Sequence, residues 1–159
     1  MSETTKPQFV YVTYISTTPE KLWNALIDPE MTKQYWARHR NASDWRVGSR
    51  WSHEDYDDPK LVDIVGTVIE SDPPRRLVVT WEGAAERLRN EKPSRVTYLI
   101  EPYRDAVRLT VTHEELEPDS GMLRGITAGW PAVLSGLKTL LETGQPMPMM
   151  TLRWSGPPE

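Results

Sequence analysis

Cysteine is absent from the 159 residues, which excludes a disulfide framework and thiolate metal sites and is compatible with a reducing cytosol. No apolar run approaches the ~20 residues that cross a bilayer, so membrane insertion is not expected. The opening MSETTKPQ lacks an apolar core, so a secretory signal is not expected either, and the chain reads as cytoplasmic. Excess basic charge is also missing. A net charge of −4 argues against non-specific nucleic-acid binding, which depends on clustered Lys and Arg. There is no GxSxG elbow, phosphate-binding loop or dinucleotide fingerprint. The three histidines, His39, His53 and His113, show neither HxxxH nor HExxH spacing. Two ligands on one helix face are therefore ruled out, and no metal or other cofactor is expected.

What the chain has instead is tryptophan, seven against a single phenylalanine. Large rings with one polar edge suit an amphipathic cavity, although any one of them serves equally well as core. The longest patterned stretch is GMLRGITAGWPAVLSGLKTLLETG, Gly121 to Gly144. At about 100° per residue, Met122, Leu123, Ile126, Trp130, Val133, Leu134, Leu137, Leu140 and Leu141 share one arc of roughly 120°. Gly125, Gly129, Ala132 and Gly136 form a narrow stripe beside it, where a backbone or ligand can approach closely. Pro131 removes one helical hydrogen bond, which predicts a kink that moves Trp130.

Upstream the signals alternate with period two. Gln8 to Ser16 is β-branched and aromatic with apolar residues on both faces, which predicts a central strand. Thr18-Pro19-Glu20 then opens a helix with a cap, a proline at its first position and an acid at its positive end. Asp28-Pro29 ends it, and a second short helix is expected from Pro29 to Trp36. Arg38 to Arg50 reads as basic and irregular. Strands follow at Arg50–Asp55, Leu61–Ser71 (with Gly66 as a bulge or bend), Arg76–Trp81, Arg95–Glu101 and Ala106–His113. Glu82 to Pro93 reads as a loop or a fraying helical turn. Runs of strands followed by a helix indicate an α+β fold: an antiparallel sheet of about six strands covered by the long helix. Residues 1–7 read as a flexible N-terminus, 8–144 as one domain, and 145–159 as a Pro/Met-rich tail packing Met149, Met150 and Trp154 against it.

These residues also carry a resemblance. Thr18-Pro19-Glu20-Lys21-Leu22-Trp23 with Asp28-Pro29-Glu30 resembles the opening of the START-like, SRPBCC superfamily. Trp45 to Trp51, Asp72-Pro73-Pro74-Arg75-Arg76-Leu77 through Thr80-Trp81-Glu82, Ser94 to Thr97, Leu109 to Glu114 and Gly129-Trp130 follow in the order of the branch named for the activator of the heat-shock-protein-90 ATPase. The resemblance implies the helix-grip fold, a curved antiparallel sheet around a C-terminal helix with a cavity between them. Two positions depart from that branch. Asp57-Asp58-Pro59-Lys60 replaces a glycine-rich hairpin, and His53 stands where an apolar or aromatic residue is usual.

The expected function is non-catalytic binding of a small hydrophobic or aromatic molecule in that cavity. Its candidate lining is Trp23, Trp51, His53, Trp81, Tyr98, Val111, His113, Met122, Trp130 and Leu134. His53 and His113 fall on the apolar faces of their strands, where an imidazole orients a ligand, acts as general acid–base, or makes a structural hydrogen bond. Arg38, His39 and Arg40 with Arg46 and Arg50 form a basic cluster, either an attractor for an anionic group or a solvated loop. Two alternatives stand beside the carrier: a protein-interaction module of the co-chaperone, ATPase-activating kind, as the branch name implies, and a cyclase- or hydrolase-type enzyme using a cavity histidine.

Overall fold

The computed structural model describes residues 6–83 and 92–153. Its elements are β1 (Phe9–Ile15), α1 (Pro19–Ile27), α2 (Pro29–Tyr35), β2 (His39–Ser43), β3 (Arg50–Asp55), β4 (Val62–Asp72), β5 (Arg76–Gly83), β6 (Ser94–Tyr103), β7 (Ala106–Glu114), α3 (Gly121–Thr143) and a 3-10 turn at Pro148–Thr151. The strands form one antiparallel sheet in the order β1-β7-β6-β5-β4-β3-β2. This is the helix-grip arrangement, with seven strands rather than about six. Most of Glu82 to Pro93, and Trp154 of the tail, lie outside the described residues.

Local chemistry sets the helix ends. Thr18 Oγ1 accepts from the Lys21 N–H. Asp28 serves two helices: its N–H donates to the Asn24 carbonyl and closes α1, and its side chain accepts from the Glu30 N–H and opens α2. Ser120 Oγ accepts from the Leu123 N–H at the start of α3, and Gly144, at φ 77°, ends it in the left-handed conformation that glycine adopts at no steric cost. The helix is continuous through Pro131. Ile126, Trp130, Val133, Leu134, Leu137 and Leu140 are buried against the inward residues of β5, β6 and β7, among them Val79, Val96, Ile100, Leu109 and Val111.

Two strand expectations are corrected. The first strand is an edge, and its outer face leaves Val10, Val12 and Tyr14 roughly half exposed. Apolar residues on both faces therefore did not mean burial on both faces. Side chains of α3 blunt this edge instead: Lys138 donates to the Tyr14 carbonyl, and Glu142 accepts from the Ser16 N–H. The second correction is β2, HRNAS, which read as irregular because it has no apolar alternation. It forms the opposite edge, held by its register with β3 and by the Arg40–Glu54 ion pair at 2.7 Å.

The sheet bends where Gly66 and Thr67 pass β5. There the ladder is carried by side chains: the Trp51 indole N–H donates to the Thr80 carbonyl at 2.8 Å, and the Thr67 N–H donates to Thr80 Oγ1 at 2.8 Å. Gly66 stands opposite Trp51 because that indole lies directly over it.

The tail returns to the body. Met150 is fully buried while Met149 is exposed, and Arg153 pairs with Asp55 and Asp57. The Arg153 guanidinium holds the buried Asp55 carboxyl well below the usual carboxylate range, helped by the Asp57 and Asp58 N–H groups. This return explains one member of the glycine stripe. A Cβ on Gly136 would lie 3.0 Å from Met150 Cγ and 3.2 Å from the Tyr35 carbonyl oxygen, whereas one on Gly125 would meet nothing within 4 Å. Gly136 therefore makes room for protein rather than for a ligand. Gly125→Ala is expected to raise stability by about 0.5–1 kcal/mol through helix propensity. Gly136→Ala should fall below it by about 1–3 kcal/mol, because the same gain is offset by overpacking. Paired urea denaturation curves check the difference.

Candidate functional site

A cavity of about 300 Å³ lies between α3 and the β2–β5 side of the sheet. Ile126, Gly129, Trp130 and Val133 of α3 line one wall. Trp36, Trp81, His53 and Ile64 line the other, and Gly121, Met122, Gly125 and Asp63 stand at its mouth. Three of its rings pack on one another: Trp36 to Trp130 at 5.4 Å, Trp81 to Trp130 at 5.5 Å and Trp36 to Trp81 at 6.1 Å between centroids. Trp36 reaches this position through a turn in which Ala37 and Arg38 hold φ values of 49° and 57°. Two consecutive non-glycine residues in the left-handed region cost about 1–2 kcal/mol each. The turn is held by Arg38, whose guanidinium makes two hydrogen bonds to Asp57 and whose carbonyl accepts from the Tyr56 N–H.

Of the ten residues expected to line a cavity, the structure brings His53, Trp81, Met122 and Trp130 together. The other six lie elsewhere. Trp23 is buried on α1, Val111 and Leu134 are in the core, and Tyr98 lies behind Trp130, edge to face at 6.0 Å. Trp51 is bound to Thr80 at the sheet bend.

His113 is fully buried and belongs to a chain of hydrogen bonds. The Trp130 indole N–H donates to His113 Nδ1 at 3.1 Å. Nε2 lies 2.7 Å from Ser94 Oγ, which donates in turn to the Trp81 carbonyl at 3.0 Å. With Nδ1 accepting and the Ser94 proton already committed, Nε2 carries the ring's single proton and the imidazole is neutral. Burial pushes its pKa down to about 3. The chain ties α3 to β7, β6 and β5, so His113 positions Trp130 rather than facing a ligand.

Trp36, His39, Asp63 and Ile64 escaped the sequence reading as lining residues. His39 sits on the unrecognised strand β2, and Asp63 is placed by a bulge that no local pattern announces. Ile64 pairs with His53 and Val62 with Glu54, so Asp63 is the extra residue on β4. That bulge lets the adjacent Asp63 and Ile64 both line the cavity, which regular alternation forbids.

The imidazoles of His39 and His53 stack at 4.7 Å, only 7° from parallel. His53 Nδ1 donates to Asn41 Oδ1 at 2.7 Å, and burial pushes its pKa down to about 3, with His39 adding to the shift. His53 is thus neutral, with its lone pair on Nε2. His39 Nδ1 donates to the Ala37 carbonyl at 2.8 Å, and Nε2 stands 2.9 Å from Asp63 Oδ2. Burial opposes its charge, but the Asp63 carboxylate and the Ala37 carbonyl together hold its pKa above the ordinary value. The expected basic cluster is largely neutralised, since Arg38 pairs with Asp57, Arg40 with Glu54 and His39 with Asp63.

A curved sheet gripping one long helix has counterparts among known proteins. The family model described as Activator of Hsp90 ATPase homolog 1-like protein matches residues 16–142. The chain belongs to this family. Among solved structures, the protein MLL2253 from Mesorhizobium loti is 26% identical with a TM-score of 0.72, covering 85% of this chain and 96% of its own. CalU16 from Micromonospora echinospora is 20% identical with a TM-score of 0.71, over 91% of this chain and 80% of its own. An HSP90 activator from Plasmodium falciparum is 22% identical with a TM-score of 0.69, over 84% of this chain and 95% of its own. No curated protein matches the chain. Among the described residues, no helix is long and apolar enough to cross a membrane.

Proposed function

We propose that this member of the family binds a small hydrophobic or aromatic molecule between α3 and the sheet. One observation carries the reading. The cavity is walled by three indoles, Trp36, Trp81 and Trp130, that pack on one another beside the aliphatic side chains of Ile64, Ile126 and Val133. A flat ring laid against such a wall removes apolar area from water and gains ring–ring contact. A volume of about 300 Å³ is at the small end of ligand pockets and favours a one- or two-ring compound.

The test is titration with a panel of one- and two-ring phenols and aromatic ketones. Saturable quenching of tryptophan fluorescence and a rise in Tm are expected, about 2.7 kcal/mol of stabilisation at a hundredfold excess over Kd. Gly125→Leu places a branched side chain in the open space at the cavity mouth. It should weaken binding at least tenfold while leaving Tm at or above that of the parent. Unchanged fluorescence and Tm across the panel, or full binding by the Leu variant, would reject the reading.

The family match favours a second reading, a protein-interaction module of the ATPase-activating kind. It predicts stimulation of a purified heat-shock-protein-90 ATPase at saturating chain and is rejected by a flat response. For a third, enzymatic reading, only His53 of the two expected imidazoles lines the cavity.

A further inference from the structure

We propose that His39, His53 and Asp63 form a binding site for a divalent transition-metal ion at the mouth of the cavity. The three come from β2, β3 and β4, adjacent strands at one edge of the sheet, and offer donor atoms that all lie within 4.8 Å of one another. Two nitrogens and one carboxylate oxygen are a ligand set suited to Zn²⁺ and its first-row neighbours. Sequence spacing hid the set because each ligand sits on a different strand.

Three features separate this cluster from a chance meeting of polar side chains. First, each imidazole has its Nδ1–H bound to a carbonyl oxygen, Ala37 for His39 and the Asn41 side chain for His53. Such an outer partner selects the tautomer that presents Nε2 to a metal, as it does in established metal sites. Second, Asp63 reaches the histidines because the β4 bulge re-aims it, and bulges of this kind recur beside functional sites. Third, all three residues line the cavity, so three protein ligands on one side would leave the remaining coordination positions facing the space between sheet and helix.

The distances are close to what an ion needs. Ligand bonds of about 2.0–2.2 Å in tetrahedral geometry require donors roughly 3.3–3.6 Å apart. His39 Nε2 and Asp63 Oδ2 are 2.9 Å apart in direct contact with a proton between them, so an ion takes the place of that proton, which leaves to solvent, and parts the two atoms slightly. The stacked rings must also fan out for both lone pairs to meet at one point. His39, on the edge strand and in reach of solvent, is the ring that can pivot about its hydrogen bond to Ala37, whereas His53 is nine-tenths buried or more and held by Asn41.

The proposal is independent of the aromatic ligand, because it concerns the ligand-free protein with the metal alone. Untagged protein stripped with EDTA is titrated with ZnCl₂ by calorimetry and, in parallel, with CoCl₂ by visible absorption. One equivalent per chain with a micromolar or tighter Kd is expected, together with Co²⁺ d–d bands of a site holding nitrogen and oxygen ligands. His39→Ala and Asp63→Asn should each weaken Zn²⁺ binding about 10–100-fold. Both replaced side chains touch solvent, so the variants should stay folded, and circular dichroism checks this. Asp58→Asn on the neighbouring hairpin serves as control and should bind as the parent does. No stoichiometric binding, or equal binding by both site variants, would overturn the assignment.

Discussion

Gly66→Ala is expected to cost about 4 kcal/mol or more and to leave little cooperative unfolding to measure. The added Cβ would lie 1.9 Å from the Thr80 carbonyl oxygen and 2.4 Å from Trp51 Nε1. Neither neighbour can move independently, because those two atoms are hydrogen-bonded to each other at 2.8 Å. Relief requires the indole to leave, which opens a large void and orphans a carbonyl, or β4 to separate from β5 at the bend. Both routes damage the curvature that holds the sheet around α3. The comparison with Gly125→Ala is the control, since that is the same chemical change in open space. Guanidinium denaturation followed by near-ultraviolet circular dichroism distinguishes them, and parent-like stability of the Gly66 variant would refute the close-approach argument.

Acid is expected to destabilise the protein through His113 well before its carboxylates titrate. The ring's pKa is about 3 when folded and about 6.5 when free. A folded-state pKa below the unfolded one means that the unfolded chain binds the proton first. The contribution of the neutral ring is therefore complete above pH 6.5 and is lost progressively as pH falls towards 3. The slope is about 1.4 kcal/mol per pH unit, a total on the order of 4–5 kcal/mol. The cause is burial, reinforced by geometry: a second ring proton would sit on Nδ1 and face the Trp130 N–H, donor against donor. His113→Gln can accept from Trp130 and donate to Ser94, but it does not titrate. Urea unfolding at pH 7, 6, 5 and 4 should show a slope shallower than the parent's by about 1.4 kcal/mol per unit. Parallel slopes would mean that His113 is not held neutral.

Much of the fold was legible because its signals are local. Thr18-Pro19-Glu20, Asp28-Pro29 and the apolar arc of Gly121 to Gly144 depend on hydrogen bonds and periodicities within a few residues. Strand β2 was not legible, since a polar edge strand owes its existence to a partner far along the chain. The burial of β1 was overestimated for the same reason: propensity says that Phe9 to Ile15 extends, but neighbours decide which faces are covered. Among the candidate lining residues, apolar side and ring size could not separate Trp81 and Trp130, which face the cavity, from Trp23 and Trp51, which fill the core. Likewise Gly125 and Gly136 look equivalent on a helical wheel until Met150 returns to occupy one of them.

By itself, then, the sequence determined the class of fold, the ends of its helices, the face of α3 that is buried and the membership of a family, all properties of short-range pattern and composition. The tertiary structure alone decided where the cavity lies, that His113 ties helix to sheet while His53 faces the cavity, and that His39, His53 and Asp63 converge. The reason is physical. Convergence depends on strand register, and one extra residue at a bulge moves a side chain from one face of a sheet to the other.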